Sequence, residues 1–87
     1  MNSFTQFEIK APCDFYGNNA WRVTCLSKSG KILSIEKPDE KRICEAKSLL
    51  GVLSLGVHKG DKIRFIGDEN SEDLSVFAEK LRRELSC

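Results

Sequence analysis

Eighty-seven residues supply enough apolar surface for one hydrophobic core and not for two, so a single domain spanning residues 1–87 is expected. With 40% apolar and 31% charged residues, and 14 basic against 13 acidic side chains, the composition excludes a disordered tail. A formal charge of +1, with Lys28, Lys31, Lys37, Lys41 and Arg42 interspersed among Glu36, Asp39 and Glu40, leaves no basic stripe and argues against direct nucleic-acid binding.

The first segment, Met-Asn-Ser-Phe-Thr-Gln-Phe-Glu-Ile-Lys, lacks the basic flank and long apolar run of a secretory signal, and no stretch reaches membrane-spanning length. A cytoplasmic protein with no membrane contact is expected. Cys13, Cys25, Cys44 and Cys87 form no Cys-x-x-Cys pair and the sole histidine is His58, so neither a metal nor a cofactor is expected. In a reducing compartment the default is four free thiols.

In chain order, Phe7, Ile9 and Ala11 recur at every second position and stop at Pro12, which predicts a strand over residues 4–11. Cys13 to Asn19 has the composition of a turn. Asn18 or Asn19 can cap a helix from Ala20 to Lys28, with Ala20, Val23, Thr24 and Leu26 inward and Gly30 closing it. Ile32 to Lys37 and Arg42 to Lys47 read as a hairpin around a Pro38-Asp39-Glu40 turn. Ser48 opens a short apolar helix in which Leu49, Val52 and Leu53 recur at helical spacing and Gly56 marks the end. After the Lys59-Gly60-Asp61 turn, Lys62 to Ile66 alternates Ile63 and Phe65 inward with Lys62 and Arg64 outward. The last element carries a helical stripe of Leu74, Phe77, Ala78, Leu81 and Leu85, acidic at its start and basic at its end in agreement with the helix dipole. The order β-α-β-β-α-β-α implies an α+β two-layer sandwich.

The stretch from Ala46 to Val57, Ala-Lys-Ser-Leu-Leu-Gly-Val-Leu-Ser-Leu-Gly-Val, resembles the regulatory segment of the histidine-containing phosphocarrier (HPr) family in its Gram-positive members. The element order, the Lys-Gly-Asp turn and the amphipathic last helix extend the resemblance over the whole chain. It implies an antiparallel sheet of four strands with three helices on one side. It also implies that Ser48 is the serine phosphorylated by HPr kinase/phosphorylase, and that Leu49, Leu50 and Leu53, with Lys47, form a docking patch for a transcription regulator or metabolic enzyme.

The family's phosphate-carrying motif, Gly-Leu-His-x-Arg-Pro-Ala, corresponds to Asp14-Phe15-Tyr16-Gly17-Asn18-Asn19-Ala20, which keeps only the alanine. The resemblance puts Tyr16 at the position of the histidine and Asn18 at that of the arginine. Because the spacing from Pro12 to Ser48 is one residue longer than in typical members, the partner of the histidine is Phe15 or Tyr16. His58, in the loop after the second helix, does not carry over. A phosphohistidine carrier needs a ring nitrogen that ionises near neutrality, and a phenol with a pKa of about 10 does not supply one. Losing the arginine removes a fork of donors for phosphate oxygens, and Asp14 adds negative charge.

The residues therefore point to a non-enzymatic, regulatory HPr-like protein resembling the catabolite-repression paralogue that also lacks the active histidine. The competing expectation is a divergent phosphocarrier that uses Tyr16 or Cys13 as acceptor. On local chemistry alone Ser48 is an ordinary helix cap, worth about 1 kcal/mol, and the leucines of its helix are core residues. With Val52 and Leu55 available to point inward, some of Leu49, Leu50 and Leu53 are expected at the surface.

Overall fold

The period of two in the first segment becomes strand β1 (Thr5–Lys10). The chain continues through α1 (Asn18–Gly30), β2 (Ser34–Lys37), a 3-10 turn at Pro38–Glu40, β3 (Arg42–Glu45), α2 (Leu49–Leu55), β4 (Lys62–Gly67) and α3 (Leu74–Glu84). The computed structural model describes residues 4–87. The strands form one antiparallel sheet in the order β1-β4-β2-β3, with the helices against one face, so the expected α+β two-layer architecture is the observed one.

Register separates the two faces. Phe7, Phe65, Ile35 and Cys44 stand in one row across all the strands, and Ile9 faces Ile63 in the next inward row. Phe65, Ile35 and Ile63 are fully buried beneath the helices. Because side chains alternate along a strand, the adjacent row of Glu8, Arg64, Glu36 and Ile43 falls on the open face. There Arg64 bonds Glu36 at 2.8 Å and Glu8 at 3.3 Å, which links three strands.

Helix α3 lays down the expected stripe: Leu74, Phe77, Ala78, Leu81 and the following Leu85 are all buried. Phe77 meets Phe65 edge to face, with ring centroids 4.9 Å apart and planes at 82°, the geometry favoured by the aromatic quadrupole. Asp73 caps the helix by accepting hydrogen bonds from the Ser75 amide and hydroxyl.

Several boundaries differ from the sequence expectation for local reasons. Helix α1 begins at Asn18, and its cap is Gly17 (φ 56°), which offers no side chain to the helix. The side chain of Asn19 is engaged elsewhere, bonding Asp14 and Ser86. Gly30 is the last helical residue rather than the left-handed closure, a role taken by Lys31 (φ 57°). The Ile32 amide then bonds the Ser27 carbonyl, so the Ile32 region finishes the helix and β2 starts only at Ser34. A methyl group at position 30 would meet the carboxylate of Glu72 and push that side chain aside, and the Glu72 amide bonds the Gly30 carbonyl. Strand β3 stops at Glu45, two residues before the expected Lys47, because the Ser48 amide turns back onto the Glu45 carbonyl.

Truncating the central aromatic, Phe65→Ala, is expected to lower unfolding free energy by about 3–5 kcal/mol through lost burial and an unfilled cavity. Ile43→Ala, on the open face, is expected to cost less than about 1 kcal/mol. Denaturant unfolding of the two variants beside the parent measures both.

Candidate functional site

Ser48 lies just outside α2 with extended backbone (φ −100°, ψ 115°), and its Oγ accepts a hydrogen bond from the Gly51 amide at 3.0 Å. Its carbonyl accepts from Val52, so both ends of the cap are formed. The side chain is only partly covered, while Lys47 beside it is exposed. Gly51 is held close: a methyl group there would lie 3.2 Å from the Cys44 Cβ and 3.2 Å from the Ser48 Oγ.

The leucines of α2 divide. Val52 and Leu55 enter the core, Leu49 and Leu53 are half-buried against it, and Leu50 stands 76% exposed. A single fully exposed leucine flanked by two partly covered ones is a narrower apolar surface than three free leucines would make. Next to it runs a shallow groove between α2 and β3, lined by Arg42, Cys44, Ser48, Gly51 and Ser54. Arg42 is fixed there by donating to the Ser54 carbonyl at 2.6 Å. Arg42 and Cys44 were not among the candidate site residues. The signal that finds them is register, since Cys44 pairs with the inward Ile35 and therefore faces α2. Burial pushes the Cys44 thiol up to about 11, so it is a poor nucleophile at neutral pH.

At the start of α1, Phe15 is fully buried and Tyr16 is 41% exposed, so of the two candidates for the histidine position only Tyr16 reaches the surface. Asn18 is exposed at the first helical position. The loop is tied to the segment after α2 by the Phe15 amide on the Val57 carbonyl, 2.9 Å, and the Lys59 amide on Asp14 Oδ1, 2.7 Å. These bonds bring His58 against Tyr16, with ring centroids 5.4 Å apart, and its Nδ1 within 4.0 Å of Asp14 Oδ1. The histidine that is remote in sequence is thus adjacent in space.

The four-free-thiol expectation does not hold. Cys13 and Cys87 are joined in a disulfide across 74 residues of sequence, leaving Cys25 exposed and Cys44 half-buried as thiols. Spacing gave no hint because the partners meet only when the end of α3 returns beside the loop after β1. Cys13, buried and oxidised, is not a nucleophile in this state. Among the described residues no cluster of three histidine, cysteine or acidic side chains is placed to hold a metal ion, and no helix is long and apolar enough to cross a membrane.

Between the two surfaces lies Lys37, almost fully buried, its Nζ donating to the Gly56 carbonyl at 2.8 Å and pairing with Glu40 at 2.6 Å and Asp61 at 3.2 Å. The bond to Glu40, more than the opposing burial, raises the lysine above its ordinary pKa. Asp61 is held below the usual carboxylate range, first by the His58 amide and then by Lys37.

The fold is that of a known class. The chain superposes on the phosphocarrier protein HPr from Bacillus anthracis strain Ames with a TM-score of 0.72 and 20% identity, over 98% of this chain and 100% of the other. It is similarly close to HPr-C-His from Thermoanaerobacter tengcongensis, with a TM-score of 0.64 and 20% identity over 97% and 99% of the two chains. No curated protein matches the chain by sequence. The family model for the HPr component of the phosphotransferase system, described by its phosphorylation site, matches residues 6–82. The chain belongs to the HPr family.

Two measurements check this geometry. At about pH 8 a thiol titrating near 11 is thiolate in about one molecule per thousand. A maleimide should therefore label Cys25 quickly and Cys44 only slowly in the folded protein. Replacing Lys37 with methionine strands Glu40, Asp61 and the Gly56 carbonyl and is expected to cost about 2 kcal/mol. Because the native pKa of Lys37 is raised, its contribution is complete below the ordinary lysine value of about 10.4 and fades as pH climbs through the native value. Urea unfolding at neutral and strongly alkaline pH should show parent and variant converging only at the alkaline end.

Proposed function

We propose that this chain is a regulatory HPr-family protein that does not act as a histidine phosphocarrier and binds partner proteins through the Ser48 helix. Phosphorylation of Ser48 by HPr kinase/phosphorylase controls the binding, and the partner is a transcription regulator or metabolic enzyme in the cytoplasm. The observation that carries this reading is how the Ala46–Val57 segment divides. Ala46, Val52, Leu55 and Val57 are buried, Gly51 is confined by Cys44, and Gly56 takes φ 71° as the left-handed cap. Packing and backbone geometry account for those positions. Lys47 and Leu50 are exposed and Ser48 is partly covered, and apart from the helix cap that Ser48 supplies the fold asks nothing of these three side chains.

A phosphate on Ser48 adds between about −1.5 and −2 charges beside Leu50 and the half-buried Leu49 and Leu53. It repels a purely apolar partner and favours one that presents arginine or lysine. Loss of carrier chemistry is supported by the sole histidine being His58 and by Tyr16 and Asn18 at the start of α1.

A second reading, residual phosphotransfer, draws on the His58 ring lying beside Tyr16, tilted 49° to it. The carboxylate of Asp14 near the His58 ring opposes it, since a phosphoryl group carries like charge.

Incubation with HPr kinase and ATP should add one phosphate to the parent and none to Ser48→Ala. Leu50→Asp should weaken capture of the partner by at least about tenfold without loss of the fold. With phosphoenolpyruvate and enzyme I, no phosphate should appear; label lost in His58→Ala, Tyr16→Phe or Cys13→Ser would establish the carrier reading instead.

A further inference from the structure

The disulfide sits where the segment after α3 returns to the loop, just beyond β1, that carries Tyr16. Just beyond α3, Leu85 is buried and Ser86 is clamped by Asn19, which donates to its carbonyl at 2.6 Å and accepts from its amide at 2.9 Å. The same Asn19 amide group donates to the Asp14 carbonyl at 3.1 Å, so one side chain couples the tail to the loop. Ser86 and Cys87 line one side of a depression whose other walls are Asp14, Tyr16, Asn19 and Lys59.

The two sulfurs differ in access. Cys13 is 1% exposed and belongs to the core, whereas Cys87 is exposed. An external thiolate can therefore reach the Cys87 sulfur and not that of Cys13. A reduced Cys13 remains a small apolar core residue, so opening the bridge does not open the core. The Cys87 Sγ also lies 3.0 Å from the Pro12 carbonyl oxygen, an acceptor it can use only as a protonated thiol.

We propose that Cys13–Cys87 is a reversible thiol–disulfide exchange site, with a dithiol as its reactant, that latches the C-terminal tail over the Tyr16 surface. A thiolate of the dithiol bonds to the Cys87 sulfur while the S–S bond breaks and its electron pair leaves with Cys13, which is protonated. The second thiol, as thiolate, then bonds to the first sulfur of the reagent, expelling Cys87 as a thiolate that takes up a proton. The dithiol is oxidised to its own disulfide, and the protein gains two electrons and two protons. Without the covalent bond the tail is held by Leu85 and the Asn19 clamp, so Ser86 and the loop it covers exchange between closed and open states. The device uses none of Lys47, Ser48 or the leucines of α2.

The test uses the full chain purified under oxidising conditions, with dithiothreitol as the dithiol. Alkylation after denaturation should count two thiols before treatment and four after treatment of the folded protein. Amide exchange at Asn19 and Ser86 should rise by at least about tenfold on reduction, and Cys87→Ser should show the same rise without reductant. The amides of Leu33 and Ala46, bonded to Ile66 and Leu33 within the sheet region, should not change. Four thiols in the oxidised preparation, a bridge that yields only in denaturant, unchanged exchange at Asn19 and Ser86, or a parallel rise at Leu33 and Ala46 would each overturn the proposal.

Discussion

The ammonium of Lys37 is the constraint on which the geometry of both surfaces depends. It is nearly sealed from water, and it can stay charged there only because a backbone carbonyl and two carboxylates surround it. Each of those acceptors belongs to a different piece of chain: Gly56 ends the Ser48 helix, Glu40 closes the 3-10 turn, and Asp61 anchors the turn that carries His58. Hydrogen-bond directionality fixes all of them relative to the middle of the sheet. The exit of α2 and the approach of His58 to the Tyr16 loop are consequently set by one side chain on β2.

What sequence revealed was whatever repeats at short range. The α3 stripe, the alternation in β4 and the cap at Ser48 each follow from residues within a few positions of one another, where periodicity and local hydrogen bonding speak directly. What it hid depended on register or on long loops closing. Cys44 faces α2 because Ile35 lies opposite it, His58 meets Tyr16 because Val57 holds Phe15, and Cys13 meets Cys87 because α3 delivers the tail to that spot. Gly30 was legible as a helix end but not as the place where Glu72 needs room, since that neighbour is far along the chain.

The apolar surface at α2 illustrates how packing sharpens a pattern. Seven helical residues cannot turn every leucine outward, because the one face that must cover Ala46, Val57 and the sheet takes Val52 and Leu55 completely and part of Leu49 and Leu53. The exposed remainder is Leu50, bordered by Lys47 and by Ser48. Under the proposed docking role, a partner would meet one apolar knob with a hydroxyl and an ammonium at its edge, and most of the discrimination would fall on polar groups.

The sulfur bridge also has a mechanical meaning. When the chain is pulled between Phe4 and Cys87, tension leaves the backbone at Cys13 and passes straight to Cys87, so residues 14–86 lie outside the loaded path. Only β1 and the residues just after it bear the force, in a strand held along its length by β4. Broken, the same bridge transfers the load to the whole chain, beginning with the end of α3. A difference of two electrons therefore decides whether the helices of this fold feel an applied force at all.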